Sequence, residues 1–210
     1  FRVIAPVATA CLTGRTKAAN SNATPSTTHT TDAALLEDYD AANVRPWPHQ
    51  LDAIRAVQQT KSQRCLVQHA AGSGKSLTIA GLAASLADDG FRVVVICDRR
   101  QLDAQIYATV RRVCQRRHSV GRAASVADLA TATETILCTT LQKVSRASHQ
   151  TGHGKTAVLV DECHRSYADE HVWRRLDEAL SPRLVVGFTA TPEDRELATL
   201  GNPLHCFPLS

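Results

Sequence analysis

Short apolar runs recur along this chain, separated by longer stretches whose hydrophobic positions follow a helical period. The runs are Cys65–Gln68, Arg92–Cys97, Thr135–Cys138, Ala157–Val160 and Leu184–Phe188, each rich in Val, Ile and Leu. They are continuous rather than alternating, which is the pattern of strands buried on both faces. Helices are expected between them over Lys75–Ala87, Gln101–Arg112 and His171–Leu180, with Asp88-Asp89-Gly90 ending the first. Strand and helix in alternation predict an α/β domain on a mostly parallel central sheet flanked by helices. No internal repeat is visible.

The N-terminal part reads differently. Residues 13–31 are dominated by Thr, Ser, Asn and Ala, too polar to offset the entropy of ordering, and they read as a linker. Ala33–Tyr39 can form a short helix, Arg45-Pro46-Trp47-Pro48 breaks it, and His49–Gln59 is helical again with Leu51, Ala53, Ile54 and Val57 on one side. The expected division is a leader and low-complexity linker over 1–39, disordered in part, and a compact domain over 40–210.

With 43% hydrophobic and 21% charged residues among 210, the chain has an ordinary globular composition, and no apolar run is long enough to span a bilayer. The first 31 residues contain no acid, like a transit peptide, but lack its Arg-studded amphipathic pattern. The seven cysteines form no C-x-x-C pair and read as small buried hydrophobes in a reducing compartment. Cys163, His164, His149 and His153 match no standard zinc spacing. An intracellular protein, cytoplasmic or nuclear, is expected, with organelle targeting left open. The net charge of +4 is uneven: Arg99, Arg100, Arg111, Arg112, Arg116, Arg117 and Arg122 lie in one stretch with Asp103 the only acid. Such a stretch suits a phosphate backbone, although a solvated helix face would look the same.

The chemistry concentrates at two strand ends. Cys65–Gln68 runs into Ala71-Gly72-Ser73-Gly74-Lys75-Ser76 and then a strong helix former. A strand end, a loop whose N–H groups wrap phosphates, and a helix N-terminus facing the anion form the order that nucleotide binding needs. Lys75 would meet the β and γ phosphates and Ser76 would ligate Mg²⁺. The strict pattern wants Gly where this chain has His69. Downstream, Ala157–Val160 delivers Asp161 and Glu162 at a second strand's carboxyl end, one acid suited to the metal and the other to the attacking water. A third strand ends in Thr189-Ala190-Thr191, whose hydroxyls can bond Glu162 and His164.

At these residues the chain resembles helicase superfamily two over about residues 43–200. Arg45 and Gln50 match its adenine-recognising segment, Asp161 to His164 its DExH box, and Thr189 to Thr191 the motif that couples hydrolysis to strand movement. More narrowly, Gln68–Ser76, Cys97–Asp103, Thr139–Lys143, Asp161–Ser166 and Gly187–Pro192 resemble the motor subunit of type I restriction endonucleases, a family in which His69 is at home. The resemblance implies a RecA-like P-loop domain. It also implies that Arg99, Arg100, Thr139 and Thr140 lie along a nucleic-acid path, which favours the same role for Arg111, Arg112, Arg116 and Arg117.

The reading is therefore a lobe that binds ATP and Mg²⁺ through Gly72, Ser73, Gly74, Lys75 and Ser76 and uses Asp161 and Glu162 for metal and water. It touches DNA, with duplex favoured and RNA not excluded. A second RecA-like lobe or partner chain is expected to supply arginines, since the chain begins at Phe1 and stops soon after Thr191, as a fragment would. Two alternatives stand: another P-loop NTPase, or a truncated, idle ATP- or DNA-binding module.

Overall fold

The computed structural model describes residues 28–97, 100–147, 154–166 and 170–207. Helix α1 (Thr28–Ala41) and helix α2 (Pro48–Gln59) precede strand β1 (Arg64–His69) and helix α3 (Lys75–Asp88). Strand β2 (Arg92–Cys97), α4 (Arg100–Cys114), β3 (Val120–Arg122), α5 (Val126–Thr131) and β4 (Ile136–Thr140) follow. Then come α6 (Leu141–Val144), β5 (Thr156–Val160), α7 (Cys163–Ser166), α8 (Glu170–Leu180), β6 (Leu184–Thr189), α9 (Asp194–Leu200) and β7 (Pro203–Phe207).

The seven strands form one sheet in the order β3-β4-β2-β5-β6-β1-β7. Every pairing among them is parallel. The α/β expectation holds, and the reason lies in the apolar runs. On β2, Val93, Val95 and Cys97 face the core beneath α1 to α4, while Val94 and Ile96 face the core beneath α5 to α9. On β5, Ala157 and Leu159 divide from Val158 and Val160 in the same way. A strand covered on both faces has no solvent side, so its sequence shows no polar alternation. Helix α3 is buried from Thr78 to Ala87 because α1, α2 and α4 cover the sides that the sheet leaves open.

Four expected strands keep their place and shift by one or two residues at their ends, and Arg92–Cys97 needs no shift. Two strands were not expected. β3 is three residues long, and β7 (Pro-Leu-His-Cys-Phe) has no apolar run. The packed body also begins upstream of the expected boundary at residue 40. Leu35 and Tyr39 of α1 are 2% and 0% exposed and belong to the core of the α1 to α4 face. No helix among the described residues is long and apolar enough to cross a membrane.

Candidate nucleotide site

Three strand ends meet at the carboxyl edge of the sheet, where ligands of open α/β sheets collect. β1 ends at His69 and opens the phosphate loop, β5 ends next to Asp161, and β6 lies between them. The register pairs Gln68 with Thr189 and Val160 with Gly187, so the loop, the acids and Thr189 share one edge.

The loop's shape is set by its glycines and by a buried brace behind it. Gly72 and Gly74 have φ of 80° and 76°, the left-handed region that glycine enters without strain. A side chain at Gly74 would also collide with the Gln50 amide. That amide donates to Ser73 O at 3.1 Å and Gly74 O at 3.2 Å, while its oxygen accepts from Trp47 N–H at 2.9 Å. His49 Nε2–H donates to the same Ser73 carbonyl at 3.0 Å, and its ring stacks on Phe207 of β7 at 3.8 Å. Behind it, His69 Nε2 meets His205 Nδ1 at 3.0 Å. Burial, and then the neighbouring His205, His49 and Lys75, push His69 down to about 4.

Lys75 turns from the first residue of α3 back across the loop. Its Nζ lies 3.3 Å from Glu162 Oε1 and donates to His69 O at 3.4 Å. Glu162 is held from its other side: His164 Nδ1 lies 3.4 Å from Oε2 and 2.8 Å from Thr189 Oγ1, which accepts from Thr191 N–H at 3.1 Å. The backbone of Glu162 is itself strained, with φ of 48° in a residue that has a side chain. Asp161 is 7% exposed, and its Oδ1 is buried without a partner. Burial, then the charge of Glu162, pushes its carboxyl up to about 6. An orphaned buried carboxylate oxygen beside the phosphate loop suits a hard, oxygen-seeking divalent cation, so the donor set fits Mg²⁺.

The structure thus brings Lys75, Asp161, Glu162, His164, Thr189 and Thr191 together at one sheet edge. Within this arrangement the chain matches the family model for the SWI2/SNF2 ATPase over residues 49–204. It belongs to the SWI2/SNF2 ATPase family.

This SWI2/SNF2 lobe is 29% identical over 179 residues to the type I restriction enzyme SsaAORF53P endonuclease subunit of Staphylococcus saprophyticus. The match covers 77% of the chain and 19% of that relative, so the chain spans about a fifth of its length. Among solved structures, the yeast DEAD-box splicing factor Prp28 superposes with a TM-score of 0.61 at 18% identity, over 79% of this chain and 46% of Prp28. The Sulfolobus solfataricus SWI2/SNF2 ATPase core in complex with dsDNA gives 0.57 at 14% identity, over 71% of this chain and 32% of that one. These likenesses establish the RecA-like α/β fold.

Other expected site residues of the SWI2/SNF2 lobe are placed differently. Gln50 is 2% exposed and commits its amide N–H groups to the phosphate loop carbonyls. Arg45 is exposed and lines a 710 Å³ cavity with Leu36 and Asp40 of α1. Thr139 and Thr140 stand at the carboxyl end of β4, but both side chains are buried. Arg99 lies outside the described residues, as does the side chain of Arg100.

The remaining arginines require a correction. Arg112 Nε and Nη2 donate to Ala42 O at 2.7 Å and Asn43 O at 3.3 Å. Arg116 Nε and Arg117 Nε both bond Asp38 Oδ1, at 3.1 and 3.0 Å, and Arg116 also reaches Glu37. Arg117 pairs with Asp88 as well. These three side chains are committed to acids and carbonyls of this chain and are not a free surface for phosphate. Arg111 is exposed and, unlike these three, makes no side-chain hydrogen bond or ion pair among the described residues. His49, His205 and Phe207, which hold the phosphate loop from behind, had no sequence signal beyond their neighbourhood in the chain.

Proposed function

We propose that this chain is the ATP-binding and hydrolysing lobe of a DNA-dependent translocase or helicase, of the kind found in type I restriction motors. The observation that carries the reading is the contact of Lys75 Nζ with Glu162 Oε1 beside an unpartnered Asp161 Oδ1. A cation for phosphate, an orphan ligand for a metal and a carboxylate for water stand within one site.

Gly72 to Ser76 would surround the phosphates, with Lys75 turning from Glu162 to the β and γ groups. Ser76 and Asp161 would hold Mg²⁺, which when bound withdraws charge from the phosphate oxygens. Release from Lys75 leaves Glu162 free to accept a proton as water oxygen bonds to the γ phosphorus. The bond to the bridging oxygen breaks, giving ADP and phosphate. His164 and Thr189 keep the Glu162 carboxylate aimed and connect it to β6. The base of ATP would lie on the Arg45 to Gln50 side of the loop.

DNA as the partner, duplex in preference, is supported by the restriction endonuclease relative and by the Sulfolobus core with dsDNA. Its path would run over the carboxyl ends of β2 and β4, where the Thr139-Thr140 backbone stands; Arg99 and Arg100 follow β2 in the sequence. The γ phosphate's far side would receive an arginine from a second lobe or a partner chain.

Titration with a fluorescent ATP analogue and phosphate release with and without duplex DNA test the reading. Lys75→Ala should weaken binding by about 1.5–3 kcal/mol, the contribution of a hydrogen bond to a charged group. Glu162→Gln should bind the analogue and release no phosphate. Undiminished binding by the Lys75 variant would sink the assignment.

A further inference from the structure

We propose that α1 is a working part of the nucleotide site, with Tyr39 as a positioning residue for the first turn of α3. The inference rests on the proposed ATP reading of that turn, where Lys75 and Ser76 stand. The family match begins at residue 49, so α1 lies outside it. Yet α1 reaches the phosphate loop by two routes.

The first runs through α3. Tyr39 is fully buried, and its hydroxyl donates to Leu77 O at 2.7 Å. Leu77 N–H in turn donates to Gly74 O at 2.9 Å, the loop residue before Lys75. One turn further along, α3 has Gly81, a poor residue for a helix interior. Any Cβ there would overlap the Tyr39 hydroxyl and crowd Ile54. The glycine is what admits the phenol to Leu77.

The second route is through the seat of α1. Asp38 is 0% exposed and is gripped by Arg116 and Arg117. Arg117 also pairs with Asp88, the last residue of α3, so α1 is tied to both ends of that helix. Arg112 takes the carbonyls of Ala42 and Asn43 and thereby fixes the chain that leads to Arg45 and Gln50. Gln50 then holds Ser73 and Gly74. Arg112 of α4 and the Arg116-Arg117 pair just after it form the receptor for α1.

A brace that served stability alone would leave nucleotide affinity unchanged in any variant that folds. A positioning role makes affinity follow the hydroxyl. In the full chain, Tyr39→Phe keeps the ring and removes the bond to Leu77. Its Kd for a fluorescent ATP analogue with Mg²⁺, measured well below the unfolding temperature, should rise about twofold to twelvefold, the range one neutral hydrogen bond supplies. Gly81→Ala should raise Kd in the same direction. The double variant should be no weaker than the worse single one, because both act through one contact. If Gly81→Ala does not fold, Tyr39→Phe carries the test alone. Lys75-dependent binding in the wild type together with unchanged Kd in the folded variants would overturn the role of Tyr39 alone. A wild-type chain that binds no analogue would overturn the ATP reading and this inference with it.

Discussion

Single side chains in this site hold positions that disfavour their charged forms. Asp161 is pushed up to about 6 by burial and by Glu162, and His69 is pushed down to about 4. The pair of His69 with His205 bonds through one donor and one acceptor nitrogen, so at least one ring must be neutral. His69 has its folded-state value below its ordinary 6.5, so the unfolded chain binds the proton more readily. The stability that the neutral ring contributes is present above pH 6.5 and is lost as pH falls toward about 4. Urea unfolding across that window should show a decline that His69→Asn flattens; an equal decline in the variant would place the titration elsewhere. The motif residues were legible in the sequence because their chemistry is local. Lys75 and Ser76 follow a glycine pair at a strand end, and Asp161 and Glu162 follow an apolar run. His69 departed from the general loop pattern, but its partner His205 is 136 residues away, and no local pattern announces such a bond.

At the scale of elements, the clearest lesson comes from the end of α4 and the turn after it. The arginines there looked like a phosphate-binding surface because the sequence around them contains almost no acid. The acids are on α1, at Glu37 and Asp38, 79 residues from Arg116 and Arg117 in the cases of Glu37 and Asp38 respectively. Charge counted along a chain misses pairs that only the fold brings together. Arg117→Ala should therefore destabilise the lobe by about 3 kcal/mol, the low end for a buried charge that loses one partner, since Arg116 stays beside Asp38. Arg111→Ala, at an exposed position, should leave the denaturation midpoint unchanged. A neutral Arg117 variant would mean that Asp38 is compensated by other means. The strands were legible for the opposite reason: burial on both faces writes itself into consecutive apolar residues. β7 was not, because it is an edge strand whose residues are half-buried or exposed and include a proline.

For the whole molecule, the proposed hydrolysis brings the cation for the γ phosphate's far side from another lobe or partner. An arginine so delivered raises turnover by about 10³–10⁵-fold in P-loop enzymes. The purified chain should therefore bind ATP with near-background phosphate release, and duplex DNA should change it little. A concentration series is the decisive measurement. Turnover that stays fast per molecule at high dilution would refute the need for an outside cation, whereas turnover that grows with concentration would show copies of the chain serving one another.

The place of β1 in the sheet has a consequence for how the protein is born. The strand that opens the phosphate loop has no neighbour from its own half of the chain. It pairs with β6 and β7, and Cys65 meets Val185 across 120 residues. A ribosome therefore releases the loop long before it releases either strand that flanks it. Until then β1 is an apolar ribbon with both edges unpaired, the form of nascent chain that chaperones hold and that aggregates when they are scarce. Closing so long a loop is slow, so the nucleotide site should be the last part of the domain to mature. Refolding followed by analogue fluorescence should lag behind refolding followed by helix content.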